Sequence, residues 1–251
     1  RHDRSSRPAP AAAPVRGPTV VTRPSDVLVV GACPAPDAGP FYRALIAAAG
    51  TVLAADGGLD VCLSAGRRPD ICLGDFDSAD PVALASVAAA GTVVIRFPAE
   101  KDATDLDLAV NHVRGMGASS VTLTAAFSGR LDHTIAALGT LLRAADLGAV
   151  AAEPGMTAYP LAIPDNDRLA LNLPAGTVVS IIAFEPGTVV SADGFRYPLR
   201  RTSLPTHSSL GVSNVVVQPS QTFTLHAGKA LVMALHTLDD PWGTEPGRQV
   251  R

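Results

Sequence analysis

Five short runs in the first half of the chain are apolar almost from end to end, and they constrain the fold more than anything else in it. They are DVLVVGA (26–32), TVLAADGG (51–58), DICLGDFDS (70–78), TVVIRF (92–97) and SVTLTAA (120–126). A strand with one wet face alternates apolar and polar residues, so runs without alternation predict strands buried on both faces. Helix-length segments rich in Ala and Leu separate them. In one, Leu106, Ala109, Val110, Val113 and Met116 recur at spacings of three or four; in another, Leu131, Ile135, Leu138, Leu142 and Ala145 do the same. Each stripe predicts a helix laid on a sheet by one apolar face. Strands alternating with helices in this way give an open, mostly parallel α/β sheet.

The pattern changes after about Gly155. MTAYPLAI, DRLALNL, TVVSIIAFE, TVVSADGF, VSNVVVQ, QTFTLHAG and KALVMAL follow one another too closely for helices to intervene, and Pro, Gly, Asn and Asp break them. Closely spaced strands with turn signals predict an all-β sandwich or barrel. The expected organisation is therefore a segment 1–25, an α/β domain 26–155, a β-sandwich domain 156–238 and a tail 239–251. Both ends, the second holding Trp242, are rich in turn-forming residues and are expected to be flexible.

At 47% hydrophobic and 17% charged residues, the composition is that of a globular chain. A formal net charge of −3 gives no general attraction to nucleic acid or an anionic membrane, so any polyanion must be bound by a local site. No apolar segment approaches the ~18 residues of a membrane span, and residues 1–25 lack the apolar core of a signal peptide. Cys33, Cys62 and Cys72 have no metal-type spacing and are expected as buried thiols in a reducing, cytoplasmic setting.

Chemistry gathers where the strands of the first half end, the edge at which open α/β sheets bind ligands. Asp56-Gly57-Gly58 follows VLAA and fits either a nucleotide loop or a plain strand-to-helix turn. In GDFDS, Asp75 and Asp77 point the same way if the backbone is extended, and two like charges so close call for a cation. Oxygen ligands of this kind suit Mg²⁺ with substrate phosphates; an acidic turn with a helix cap at Ser78 or Asp80 is the alternative. KDATDLD (101–107) places Asp102 and Asp105 on one face of a helix N-terminus, where phosphates are also favoured. Thr104 with Asp107 also resembles a capping box with Asp in place of Glu. In SGRLDHT (128–134), Arg130 offers a planar fork for phosphate oxygens; a simple exposed ion pair with Asp132 is the alternative. Carboxylates, an arginine and glycine turns on one edge are the inventory for metal-assisted phosphoryl or pyrophosphoryl transfer. No GxxxxGK[ST] loop is present.

Taken in order, ADGG (55–58), PD…GDFDS (69–78), KDxTDxxxA (101–109), GRLDH (129–133), GFRYPL (194–199) and GVSN (211–214) resemble the thiamine pyrophosphokinase family. The resemblance implies a Rossmann-like ATP-binding domain followed by a β-sandwich, in a homodimer whose active site is shared between subunits. It implies Mg²⁺ as cofactor, with ATP as co-substrate and thiamine as acceptor. Asp75, Asp77 and Asp105 are then the metal ligands, supported by Asp102. Asp56, Gly57, Gly58, Thr104 and Arg130 surround the nucleotide, Asp132 lies near the attacking hydroxyl, and Ser213 and Asn214 contact thiamine. An ordinary β-turn is the alternative for Ser213-Asn214. The chain departs from the family at Ser128, commonly a glycine, and at Ala137, usually an asparagine. Rival activities for such a site are pyrophosphoryl transfer to another alcohol such as a hydroxymethyl pterin, phosphate hydrolysis, and ligand binding without catalysis.

Overall fold

The computed structural model describes residues 26–77 and 79–236. The expectations for Ser78 as a cap and for the two ends lie outside the described residues. β1 (Val27–Val30), β2 (Thr51–Ala55), β3 (Ile71–Gly74), β4 (Val93–Arg96) and β5 (Val121–Thr124) are the five expected strands. Between and after them come α1 (Gly39–Ala48), α2 (Gly58–Ser64), α3 (Pro81–Ala89), α4 (Asp105–Gly115) and α5 (Leu131–Arg143). All neighbouring pairs among these strands are parallel. Their order, β5-β1-β2-β3-β4, reverses direction between β1 and β5, which opens a crevice at the carboxyl edge.

Successive residues of these strands enter opposite cores. Val27, Val29, Leu53, Ala55, Val121 and Leu123 pack with α4 and α5, whereas Leu28, Val30, Val52 and Ala54 pack with α1, α2 and α3. Burial on both faces is why these runs show no alternation. Leu53, Leu73 and Leu123 are fully buried, and truncating any one to Ala would remove about 2–5 kcal/mol of stability. β4 departs from the expectation because it lies at the sheet edge, and Val93 is 56% exposed there.

The two helical stripes fare differently. α4 buries Leu106, Ala109, Val110 and Val113 as expected, with Met116 left exposed at its end. α5 is rotated from the expected face: Ala137, Leu141 and Leu142 are buried, while Leu131 is 72% and Ile135 58% exposed. Small Ala137 and Ala144 let this helix approach the sheet closely, an effect that a count of large apolar residues misses.

β6 (Val150–Glu153), not anticipated as a strand, pairs parallel with β5, and β7 (Met156–Ala162) then turns back antiparallel on β6. The remaining strands are β8 (Arg168–Leu171), β9 (Val178–Ala183), β10 (Val189–Asp193), β11 (Leu199–Ser203), β12 (Asn214–Val215), β13 (Gln221–Ala227) and β14 (Lys229–Leu235). Among the described residues one ten-stranded sheet runs β12-β9-β14-β7-β6-β5-β1-β2-β3-β4, and a second has the order β11-β10-β13-β8. The second sheet packs on the antiparallel half of the first through Leu161, Ile181, Val190, Phe223, Leu225 and Val232, making the expected sandwich.

Candidate active site

Three of the parallel strands end by turning through a left-handed residue: Asp56 after β2 (φ 46), Phe76 after β3 (φ 59) and Ala125 after β5 (φ 53). Left-handed backbone costs an L-residue roughly 1–2 kcal/mol, so three such turns on one edge need firm support. Phe76 obtains it by burying its ring, over which the Arg96 guanidinium lies 5.3 Å from the centroid. Close packing fixes the Asp56 turn. Its N–H donates to the Leu73 carbonyl at 2.8 Å, and a Cβ on Gly58 would stand only 2.0 Å from the Val30 carbonyl oxygen. The glycine of the ADGG segment is thus required by the seating of α2 against β1.

The left-handed turn at Phe76 means that Asp75 and Asp77 do not converge through extended backbone, as the sequence suggested. They converge because the chain coils, with the Asp77 N–H donating to Asp75 Oδ1 at 3.2 Å. Asp56, Asp75 and Asp77 each bring a carboxylate oxygen within 4.8 Å of the others. Asp105, expected as the third ligand, stands beside this group through Lys101, whose ammonium lies 2.8 Å from Asp75 Oδ2 and 3.1 Å from Asp105 Oδ1. All three of these side chains are largely covered. Asp105 Oδ1 is buried and, among the described residues, has that charge beside it but no donor aligned for a hydrogen bond.

The electrostatics follow from this packing. Burial raises the Asp56 carboxyl above its ordinary value, helped by the negative charges of Asp105, Asp75 and Asp77 and opposed by the Gly57 N–H. Asp75 is lowered, chiefly by its hydrogen bond to Lys101. Burial would lower Lys101, but its hydrogen bond to Asp75 and its ion pairs with Asp75 and Asp105 carry it above the usual lysine value. The Lys101 ammonium supplies positive charge to two of these carboxylates. A hard, oxygen-only donor set with a surplus of negative charge fits Mg²⁺.

A cavity of about 470 Å³ opens beside these groups, lined by Gly31, Cys33, Asp56, Lys101, Asp105 and Asp132 among others. Thr104 is on its wall but is also the cap of α4: its Oγ1 accepts from Asp107 N–H at 3.2 Å, and Asp107 Oδ2 accepts from Thr104 N–H at 3.3 Å. The capping box is therefore real, with Asp in the place of Glu. Asp80 likewise caps α3 through the Val82 N–H at 2.9 Å. Asp102 lines a different, larger cavity between α4, α5 and the sandwich. Arg130 and Asp132 are exposed and pair with each other at 2.5 Å, which holds the Asp132 carboxyl down at about 2.

Ser213 and Asn214 stand apart from all of this. β12 is six strands from β1, and at about 4.8 Å per strand the separation is roughly 29 Å. Asn214 is buried, accepting from Tyr197 N–H and donating to Tyr197 O at 2.7 Å, while Ser213 (φ 58) donates its N–H to Ser180 Oγ.

Family models match both halves of the chain: thiamin pyrophosphokinase, catalytic domain, over residues 42–150, and thiamin pyrophosphokinase, vitamin B1 binding domain, over residues 165–230. Together they take in well over half of it. The chain belongs to the thiamin pyrophosphokinase family. A curated family member, thiamine pyrophosphokinase of Bacillus subtilis (strain 168), is 26% identical over 184 residues, covering 69% of this chain and 81% of that protein. The crystal structure of thiamin pyrophosphokinase from Geobacillus thermodenitrificans superposes with a TM-score of 0.68 at 27% identity, covering 84% of this chain and 97% of that one. Thiamin pyrophosphokinase from Candida albicans, at 13% identity, shares the fold with a TM-score of 0.71 over 88% and 92% of the two chains.

For a thiamin pyrophosphokinase, three features of this site went unread in the sequence. Lys101, four residues before Asp105 in KDATDLD, sets its ammonium against that carboxylate. Asp56, expected beside the nucleotide or in a plain strand-to-helix turn but not as a metal ligand, brings its carboxylate to Asp75 and Asp77. Cys33, expected to be buried, is only half-buried and faces the cavity; Cys62 and Cys72 are buried as expected.

Proposed function

We propose that the protein transfers the terminal pyrophosphate of MgATP to the hydroxyethyl group of thiamine, giving thiamine diphosphate and AMP. The observation that carries this reading is the convergence of Asp56, Asp75 and Asp77 beside Lys101 and Asp105 at the crevice of the parallel sheet, in a chain of this family. Asp56, Asp75 and Asp77 would hold Mg²⁺, with Asp105 adjoining; when bound, the ion neutralises charge on the phosphate oxygens.

The protein's own groups do the rest. The thiamine hydroxyl gives its proton to the Asp132 carboxylate as its oxygen bonds to the β-phosphorus, the bond from that phosphorus to the α–β bridging oxygen breaks, and AMP leaves with the electron pair. Arg130 and Lys101 offer positive charge to the phosphate oxygens. Turning Arg130 toward a phosphate breaks only its pair with Asp132, an exposed and therefore weak interaction. The bond from Arg130 is what holds the Asp132 carboxyl low, so once Arg130 turns to a phosphate the Asp132 carboxylate is free to accept a hydrogen bond from the hydroxyl, orient it and take its proton.

Ser213 and Asn214 reach thiamine only if a second copy of the chain supplies them, since their own site lies roughly 29 Å away across the sheet. This supports a homodimer with shared active sites. With a net charge of −3, nucleic acid is not a partner in this reading. No described helix is long and apolar enough to cross a membrane. The free, buried thiols of Cys62 and Cys72 support a reducing, cytoplasmic setting.

The test is incubation with ATP, Mg²⁺ and thiamine, followed by separation of all products. Thiamine diphosphate formed one-for-one with AMP is the expected result. ATP consumed with thiamine untouched would overturn the acceptor and point to hydrolysis or another alcohol.

A further inference from the structure

Among the described residues no carboxyl group is as buried as Glu153, at 5% exposure, and the reaction just described does not use it. It closes β6, beside the point where β5 turns through left-handed Ala125. Its Oε1 accepts from the Ala126 N–H at 3.0 Å, and its Oε2 accepts from the Tyr42 hydroxyl at 2.9 Å. The Tyr42 oxygen in turn accepts from the Ala35 N–H at 2.8 Å. One carboxyl thus ties together the turn after β5, helix α1 and the loop after β1. The tied segments also meet directly, because the Cys33 N–H donates to Ala125 O at 2.7 Å.

Both segments are walls of the 470 Å³ cavity: Gly31, Ala32 and Cys33 on one side, Ala126 on another. A buried carboxyl is expensive, and an apolar residue would fill the same space more cheaply unless the bonds fix something. What they fix is the spacing between two backbone segments, one of them strained at Ala125. None of the bonds reaches Asp56, Asp75 or Asp77.

We propose that Glu153, acting through Tyr42 and Ala126, is a positioning residue that sets the width of the nucleotide pocket. The proposal rests on the reading of this cavity as the MgATP site. Because the link bypasses the acidic cluster, it supports nucleotide in ground state and transition state alike, so its loss raises KM and leaves kcat. Glu153→Gln keeps the shape and the Ala126 bond but presents an N–H where Tyr42 needs an acceptor. Tyr42→Phe removes the same link from its other end.

The experiment measures MgATP binding by calorimetry and steady-state kinetics with thiamine for wild type, both variants and their combination. Each single variant is expected to raise Kd and KM for ATP about tenfold with kcat within about threefold, and the double variant to lose little more than the worse single one. Nucleotide affinities within about twofold of wild type in both variants overturn the proposal, as does a loss confined to kcat. Should Glu153→Gln not fold, Tyr42→Phe, which keeps the ring, carries the test alone. Wild-type protein that binds no MgATP refutes the reading of the cavity itself, whereas wild-type binding with unaltered variants refutes only the role of Glu153.

Discussion

Gly58→Ala adds a single carbon where the fold has no space for it. The new Cβ would stand 2.0 Å from the Val30 carbonyl oxygen, 2.9 Å from its carbon and 3.2 Å from the Gly31 oxygen. Carbon–oxygen contacts relax near about 3.3 Å, so the start of α2 must retreat from β1 by roughly 1.3 Å. The backbone on the other side of the clash is a paired central strand and cannot yield. Overpacking of this kind costs about 1–3 kcal/mol, which lowers Tm by roughly 2–12 °C in a chain of this size. The larger effect falls on activity, because Asp56 lies two residues upstream and must move with the helix. A displacement near 1 Å at a catalytic group lowers kcat about 100-fold. Thermal unfolding and product formation on the same preparation measure both numbers. Gly115→Ala is the control: nothing lies within 4 Å of its Cβ at the end of α4, and it is expected to add about 0.5 kcal/mol with unchanged activity. A Gly58→Ala protein that melts within about 2 °C of wild type and keeps its kcat would refute the packing argument and the placement of Asp56 together.

Asp75→Asn is expected to reduce turnover at least ~1,000-fold while Tm changes little, since Lys101 keeps its Asp105 partner; turnover within tenfold of wild type would remove Asp75 from the metal set. Burial pushes the Glu153 carboxyl from 4.5 to about 7, against the pull of the Ala126 N–H and the Tyr42 hydroxyl, with Tyr42 and Cys33 the ionisable groups nearest it. The folded chain therefore holds this proton more tightly than the unfolded one. That contribution is full below about pH 4.5 and lost as pH rises through about 7, an amount near 3 kcal/mol at ~1.4 per pH unit. Denaturant unfolding at a series of pH values should show the wild type losing stability relative to Glu153→Gln across that window, and parallel curves would refute it. Burial raises all three thiols, Cys62 to about 12 and Cys72 to about 11, but half-buried Cys33 is the one that faces the cavity. One thiol should thus react with iodoacetamide in the native protein and be slowed by MgATP; an unaffected rate would take Cys33 out of the nucleotide pocket.

The strands of the parallel half were legible because burial on both faces leaves an unbroken apolar run, and that signal needs no tertiary knowledge. Where burial is one-sided the reading weakened. β4 has the same composition as its neighbours but lies at the edge, and no local feature of TVVIRF reveals the missing partner strand. α5 was read from its large side chains alone, although the face it buries mixes small Ala137 with Leu141 and Leu142. In the site, the acidic segments were found from their positions after strands. The pairing of Asp75 with Asp77 was found too, but not the joining of Asp56 to them, because the left-handed turns at Asp56 and Phe76 decide which carboxylates meet, and neither is a glycine that would advertise the turn. Glu153 was missed for a simpler reason: VAAE was not read as a strand at all, and the partners of its one acid are 27 and 111 residues away in sequence.

The unbroken ladder through Ala151–Ala158, Ala152–Thr157 and Glu153–Met156 makes the ten-stranded sheet a single beam. A hinge between the nucleotide half and the sandwich would have to tear that ladder, so domain closure of the kind seen in jointed kinases is not open to this chain. Its moving parts must be side chains, short loops or whole subunits. Nor can the halves be expressed apart: a cut between β6 and β7 bares a strand edge on each fragment, and both are expected to aggregate.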